Sequence, residues 1–154
     1  MKLQLIKDVN NNDYIGLDIP SIHVLNKPIL TLINNIGYKK TIDCLNNLVT
    51  RNGGYHFHCT IFNVMEFGMI KKQLENNFFQ DDIINDIDYN LIFDGIGFGT
   101  NDKGDKTYFI VCHCKELNDL RIKYNLEPKD LHITIGFTNK DIFGIDKSIV
   151  KWQL

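Results

Sequence analysis

Proline is scarce in this chain, three residues in 154, and glycine stands at only 11. Those shortages exclude a collagen-like or low-complexity chain. Basic charge is not in excess either, since 17 Lys and Arg face 19 Asp and Glu for a net charge of −2. No global positive field advertises nucleic acid, so duplex DNA is not an expected partner. No run approaches the roughly eighteen apolar residues of a membrane-spanning helix, and nothing reads as a signal peptide. The expectation is a soluble, cytoplasmic, monomeric protein without a membrane partner. Cysteine is limited to Cys44, Cys59, Cys112 and Cys114, a set compatible with a reducing compartment. What remains is an ordinary apolar content over a length that suits one domain with a sizeable core.

Taken in order, the chain alternates strand and helix signals. Leu3 and Leu5 suggest an edge strand, Asn10 to Asp13 a turn, and Tyr14 to Ile19 a second strand. Asn26 is placed to cap a helix with Pro28 in its first turn and a stripe of Ile29, Leu32, Ile33 and Ile36 ahead of Gly37. Ile42, Leu45, Leu48 and Val49 mark another helix, broken at Arg51-Asn52-Gly53-Gly54. After a strand ending at Phe62, Asn63 is expected to cap a helix with a stripe of Phe67, Ile70 and Leu74. The acidic stretch from Asp81 to Asp88 reads as a solvated connector. Strands are expected over about 89–98 and 107–113, a helix over about 115–125, then a strand after Pro128. Val150 and Trp152 suggest a final edge strand.

Two of these strands carry chemistry. The first reads His56-Phe57-His58-Cys59-Thr60-Ile61-Phe62 and the second Asp130-Leu131-His132-Ile133-Thr134-Ile135-Gly136-Phe137. Side chains two apart on a strand share a face. His58 and Thr60 therefore point one way, and Phe57, Cys59 and Ile61 the other; His132 and Thr134 oppose Leu131, Ile133 and Ile135. One His-x-Thr in a strand is ordinarily structural, with threonine there for its strand preference. With only five His, eight Thr and two Ser available, two such pairs in matching apolar strands are hard to ascribe to chance. The order strand, helix, motif strand also occurs twice, which suggests two related lobes, one of about residues 1–80 and the other of about 81–154.

The paired motifs resemble those of the 2H phosphoesterases, which carry two His-x-[ST] motifs on paired strands. Leu131-His132-Ile133-Thr134-Ile135-Gly136-Phe137, with Asp141-Ile142-Phe143-Gly144-Ile145-Asp146-Lys147 behind it, is similar to the branch called Swiss Army Knife RNA-repair-like proteins. The resemblance implies a single α+β domain over 1–154. It would be two-lobed, with pseudo-symmetric antiparallel sheets flanked by helices and the motifs meeting in a central groove. It implies a hydrolase acting on RNA ends, 2′,3′-cyclic phosphates, 2′-5′ linkages or cyclic nucleotides.

The residues suit that chemistry. Cleaving a phosphodiester needs a base for the nucleophile's proton and an acid for the leaving oxygen. Imidazole, with a pKa near 6.5, serves as either. Thr60 and Thr134 would donate to the non-bridging oxygens, and the scheme calls for no metal and no cofactor. Tyr55, His56, Phe62 and Phe137 are candidates for contacting substrate, with Tyr14 and Tyr108 as further stacking candidates. Lys147 is the basic side chain nominated for phosphate, because none adjoins either motif. Cys112-His113-Cys114 invites a metal reading, but alternation puts both thiols opposite His113 and no second pair completes a tetrahedral set. Gly95-Ile96-Gly97-Phe98-Gly99 lacks the strand-turn-helix setting of a nucleotide loop and reads as a bulged strand end. The rivals to an enzyme are a nucleotide- or RNA-binding module without turnover and an interaction protein on a relict fold. Within enzymes, attack by the substrate's own 2′-hydroxyl is the second possibility.

Overall fold

The computed structural model describes residues 1–73 and 82–154. Its strands are β1 (Leu3–Lys7), β2 (Asp13–Asp18), β3 (His58–Phe62), β4 (Ile92–Thr100), β5 (Lys106–His113) and β6 (Leu131–Phe137). Among the described residues the helices are α1 (Asn26–Ile36), α2 (Tyr38–Asn52), α3 (Val64–Gln73) and α4 (Lys115–Lys123). The strands form one six-stranded sheet in the order β1-β2-β3-β6-β5-β4, antiparallel at every junction. The class is α+β, as expected from the sequence. Three strands from each half of the chain join at β3–β6, so the halves share a single sheet.

Alternation decides which face of that sheet is covered. Cys59, Ile61, Leu131, Ile133 and Ile135 are fully buried on one side, while His58, Thr60, His132 and Thr134 are only half-buried on the other. The helices supply the cover, and they cross the seam to do so. Helix α2, from the first half, packs on β6, and α4, from the second half, packs on β3. α2 settles close because Gly136 has no side chain: a Cβ there would lie 2.8 Å from the carbonyl carbon of Cys44.

Helix ends follow local chemistry. Asn63 and Glu66 form a reciprocal capping box, the Asn63 side chain accepting from the Glu66 amide at 2.8 Å and Glu66 accepting from the Asn63 amide at 3.0 Å. The end of α2 turns at Gly53, whose left-handed φ of 70° suits glycine. Asn26 does not cap α1. The chain is already turning one step earlier, in a 3-10 turn over Ile22–Leu25 capped by Ser21, which runs straight into the helix.

Other boundaries move for identifiable reasons. The first motif strand starts at His58, because Asn52 holds the His56 carbonyl and the His56 amide bonds Gly54. β4 starts at Ile92 because the Tyr89 amide instead bonds the Met1 carbonyl. The acidic connector is less solvated than its charge suggests: Ile83 is buried in the core, and Asp82 pairs with Lys123 and Tyr124. Leu74 and Asp81 lie outside the described residues. The final stretch makes a single bridge, Ile96 to Trp152, and no continuous strand. Before that bridge it lies across Gly95, Gly97 and Gly99, where a Cβ would collide with Val150 at Gly95, with the Phe109 ring and the Ile149 carbonyl at Gly97, and with Ile145 at Gly99. The glycine run is therefore a bed for the chain end. No helix among the described residues is long and apolar enough to cross a membrane.

Candidate active site

The site is built at the β3–β6 seam by one pairing, Cys59 opposite Ile133. Continuing that antiparallel register sets His58 across from Thr134 and Thr60 across from His132. Each histidine thus faces the other motif's hydroxyl, and the two imidazoles lie on a diagonal. Same-face diagonal neighbours in such a ladder are about 7–8 Å apart at the backbone, a span that admits a phosphoryl group between two side chains. Tyr14 stands edge-on to His58, ring centroids 5.5 Å apart, and Phe109 stands edge-on to His132 at 6.1 Å. Aromatic walls thus bound the groove on both sides.

Asp141, four residues past β6, ties the charged groups together. Its Oδ1 accepts from the Thr107 hydroxyl at 2.8 Å and the Ile142 amide at 2.9 Å. Looser contacts run from Asp141 to Arg51 at 3.3 Å, to Lys147 at 3.5 Å and to the Thr134 hydroxyl at 3.5 Å. Two short bonds fix the carboxylate. The three long ones leave a guanidinium, an ammonium and a hydroxyl only weakly engaged. Asp141 and Lys147 each expose 8% of their side chains, so these charges act where water screens poorly. Burial raises the Asp141 pKa, but Lys147, the Thr107 hydroxyl and Arg51 outweigh it and keep the carboxyl below its usual range.

Both histidines are held neutral. Burial, reinforced by Arg51, lowers His58 to about 4 against the opposing pull of Asp141. Burial and then Lys147 lower His132 to about 4, again against Asp141 and a bond to the Asp130 carbonyl. That carbonyl accepts from His132 Nδ1 at 3.2 Å. A carbonyl only accepts, so Nδ1 carries the proton in the neutral ring and Nε2 keeps its lone pair. Lys129 is half-buried near the same ring, and burial lowers its own pKa.

The remaining sequence candidates scatter. His56 and Tyr55 are exposed in the bend ahead of β3. Phe62 is in the core, its ring against Tyr124 and beneath Arg121. Phe137 is buried and carries the Arg51 guanidinium 5.1 Å from its ring centroid. Tyr108 packs with Phe98 and Trp152 on the helix side. Cys112 and Cys114 are buried while His113 is exposed and bonded to Asp94. Among the described residues, no group of three His, Cys, Asp or Glu gathers as a metal site would require. Sequence reasoning reached Lys147 but missed Arg51, Asp141 and Lys129. The only sequence signals for them were the last-turn position of Arg51 and the Asp141-to-Lys147 tail itself.

With this geometry in place, the family comparison is direct. The family model described as Swiss Army Knife, 2H phosphoesterase domain, matches residues 13–143. The chain belongs to that family. It is an enzyme of the phosphoesterase type, a hydrolase. No curated protein and no solved structure matches it.

Proposed function

We propose that the chain is a metal-independent phosphodiesterase acting on a nucleotide or RNA-end phosphodiester: a 2′,3′-cyclic phosphate, a 2′-5′ linkage or a cyclic nucleotide. RNA repair would be one use of such an activity. The observation that supports this reading is the seam pairing of Cys59 with Ile133; continued by one residue each way, that register puts His58 against Thr134 and Thr60 against His132 on the open face of the sheet. An anion entering there meets the weakly engaged donors of Arg51, Lys147 and Thr134, with Asp141 as the pivot that positions them.

His132 is the base in this scheme, because its Nδ1 bond leaves Nε2 able to take a proton. The proton comes from water or from the substrate's own 2′-hydroxyl, whose oxygen attacks phosphorus. His58 is the acid that returns a proton to the departing oxygen. It must first be charged, which the free site resists, and a bound phosphodiester anion favours that charge. Thr60 and Thr134 donate to the non-bridging oxygens, where negative charge is held during transfer.

The test is a panel of cyclic and linear nucleotides assayed with excess chelator. Turnover should persist in chelator. His58→Ala and His132→Ala should each lose on the order of 10³-fold or more, and the double variant should be little worse than either, as for groups acting in one concerted step. Chelator-sensitive turnover, or turnover surviving loss of either histidine, would overturn the mechanism. Nucleotide binding without turnover in the unmodified chain would instead favour a capture module.

A further inference from the structure

We propose that Phe143 is the stacking platform for a nucleobase whose sugar carries the phosphodiester, an inference that rests on the phosphodiesterase reading above. The residue is 83% exposed. Burying a phenylalanine side chain is favourable, and the fold leaves that gain unused here. The segment is nevertheless anchored on both sides. Before Phe143, Asp141 bonds Thr107 and the Ile142 amide, and Ile142 is buried. After it, Gly144 turns the chain at a left-handed φ of 75°, and Asp146 accepts from the amide and hydroxyl of Ser148. An apolar ring is thus held out in water on a fixed bracket.

Its position relates it to the site. The Lys147 ammonium lies 6.0 Å from the Phe143 centroid and 5.9 Å from that of Phe109, the ring beside His132. A phosphodiester that engages Lys147 therefore brings its nucleoside next to Phe143. The other aromatic rings around the groove, Tyr14, Phe109 and Phe137, are all buried and offer no open face. Stacking tolerates any base, since every base has a π-face, and it needs that base unpaired. The substrate class is accordingly a mononucleotide or the unpaired end of a strand.

The experiment compares binding of adenosine 2′-monophosphate and abasic ribose phosphate by calorimetry, in the unmodified chain and in Phe143→Ala and Phe143→Trp. The unmodified chain should prefer the nucleotide. Phe143→Ala should cut that preference about tenfold, and Phe143→Trp should preserve it. Equal weakening of both ligands, or an unchanged preference, overturns the platform and leaves the phosphodiesterase reading standing. An effect of Phe143→Ala on oligomeric state with the preference unchanged also overturns it, and marks the ring as a contact between copies. If the unmodified chain binds neither ligand, the phosphodiesterase reading falls and the platform with it.

Discussion

Arg51 and Arg121 occupy the same place in the chain's repeated plan, the last turn of the helix that leads into a motif strand, yet they do opposite work. Arg121 exposes 6% of its side chain and grips both oxygens of Glu66, at 3.0 and 2.7 Å. Its remaining bonds go to the carbonyls of Ile61 and Glu127. Such a fork is used up holding α4 to β3 and α3. Arg51 is 31% exposed and reaches Asp141 through one contact at 3.3 Å. It also bonds its neighbour Asn52 and stacks on Phe137. Most of its five N–H donors are unspent. Arg121 is bonded to saturation, whereas Arg51 keeps donors free for the anion that the proposed mechanism brings to the groove.

Substitution should separate the two. Arg121→Ala leaves Glu66 partly buried without its partner and should cost about 3–5 kcal/mol in denaturant unfolding. Arg51→Ala leaves Asp141 its bonds to Thr107 and the Ile142 amide and its contact with Lys147, so it should cost less, about 1–2 kcal/mol, while lowering kcat/KM on the order of 10²-fold. A reversed outcome, with Arg51 critical for folding and Arg121 for turnover, would dissolve the contrast.

The comparison sharpens at the hydroxyls. Thr60→Val and Thr134→Val keep the branched shape and delete one donor each, and the expected loss is on the order of 10² in kcat with little change in melting temperature. Full turnover in both variants would remove the phosphate clamp from the mechanism.

The smallest effect is the most diagnostic electrostatically. With both free-state histidines near 4, the form with one neutral and one charged ring is most populated on the acid side of 6.5. The kcat/KM profile should be a bell centred there, and the kcat profile should lie at higher pH, because bound substrate anion favours the imidazolium. Stability follows the same logic. Between about 6.5 and about 4 the unfolded chain binds histidine protons that the folded chain refuses, so stability drops as pH falls through that window. Replacing either ring with phenylalanine should flatten the melting-temperature profile there. A profile that keeps its slope would mean the groove histidines are not the groups responsible.

The facing of the candidate site was legible because a strand's period of two leaves little freedom: once His-x-Thr sits in an apolar strand, its face is determined. The aromatic candidates were less legible for the same reason, applied across bulges. Ile15 pairs Phe62 while Gly16 pairs Thr60, so β3 spends one extra residue there and Ile61 and Phe62 both turn inward. The same slip recurs after Thr134, between the partners of Tyr108 and Phe109. No local pattern announces an extra residue. Asp141 escaped for a different reason, since its partners Thr107 and Arg51 come from segments 34 and 90 positions away. Contacts of that kind are set by how α2 lies across the seam, which is a tertiary fact.

The bed of glycines on β4 gives the site an unexpected dependence. Gly95, Gly97 and Gly99 touch no reacting group, yet they let the segment from Ile145 to Trp152 lie directly on the strand. Lys147 sits inside that segment and Phe143 just ahead of it. A methyl group added at the sheet's outer margin would lift the strap and draw the ammonium off its mark. On the proposed mechanism, sensitivity to mutation is therefore broader than the chemistry, reaching from the seam to the rim through a strip of bare backbone.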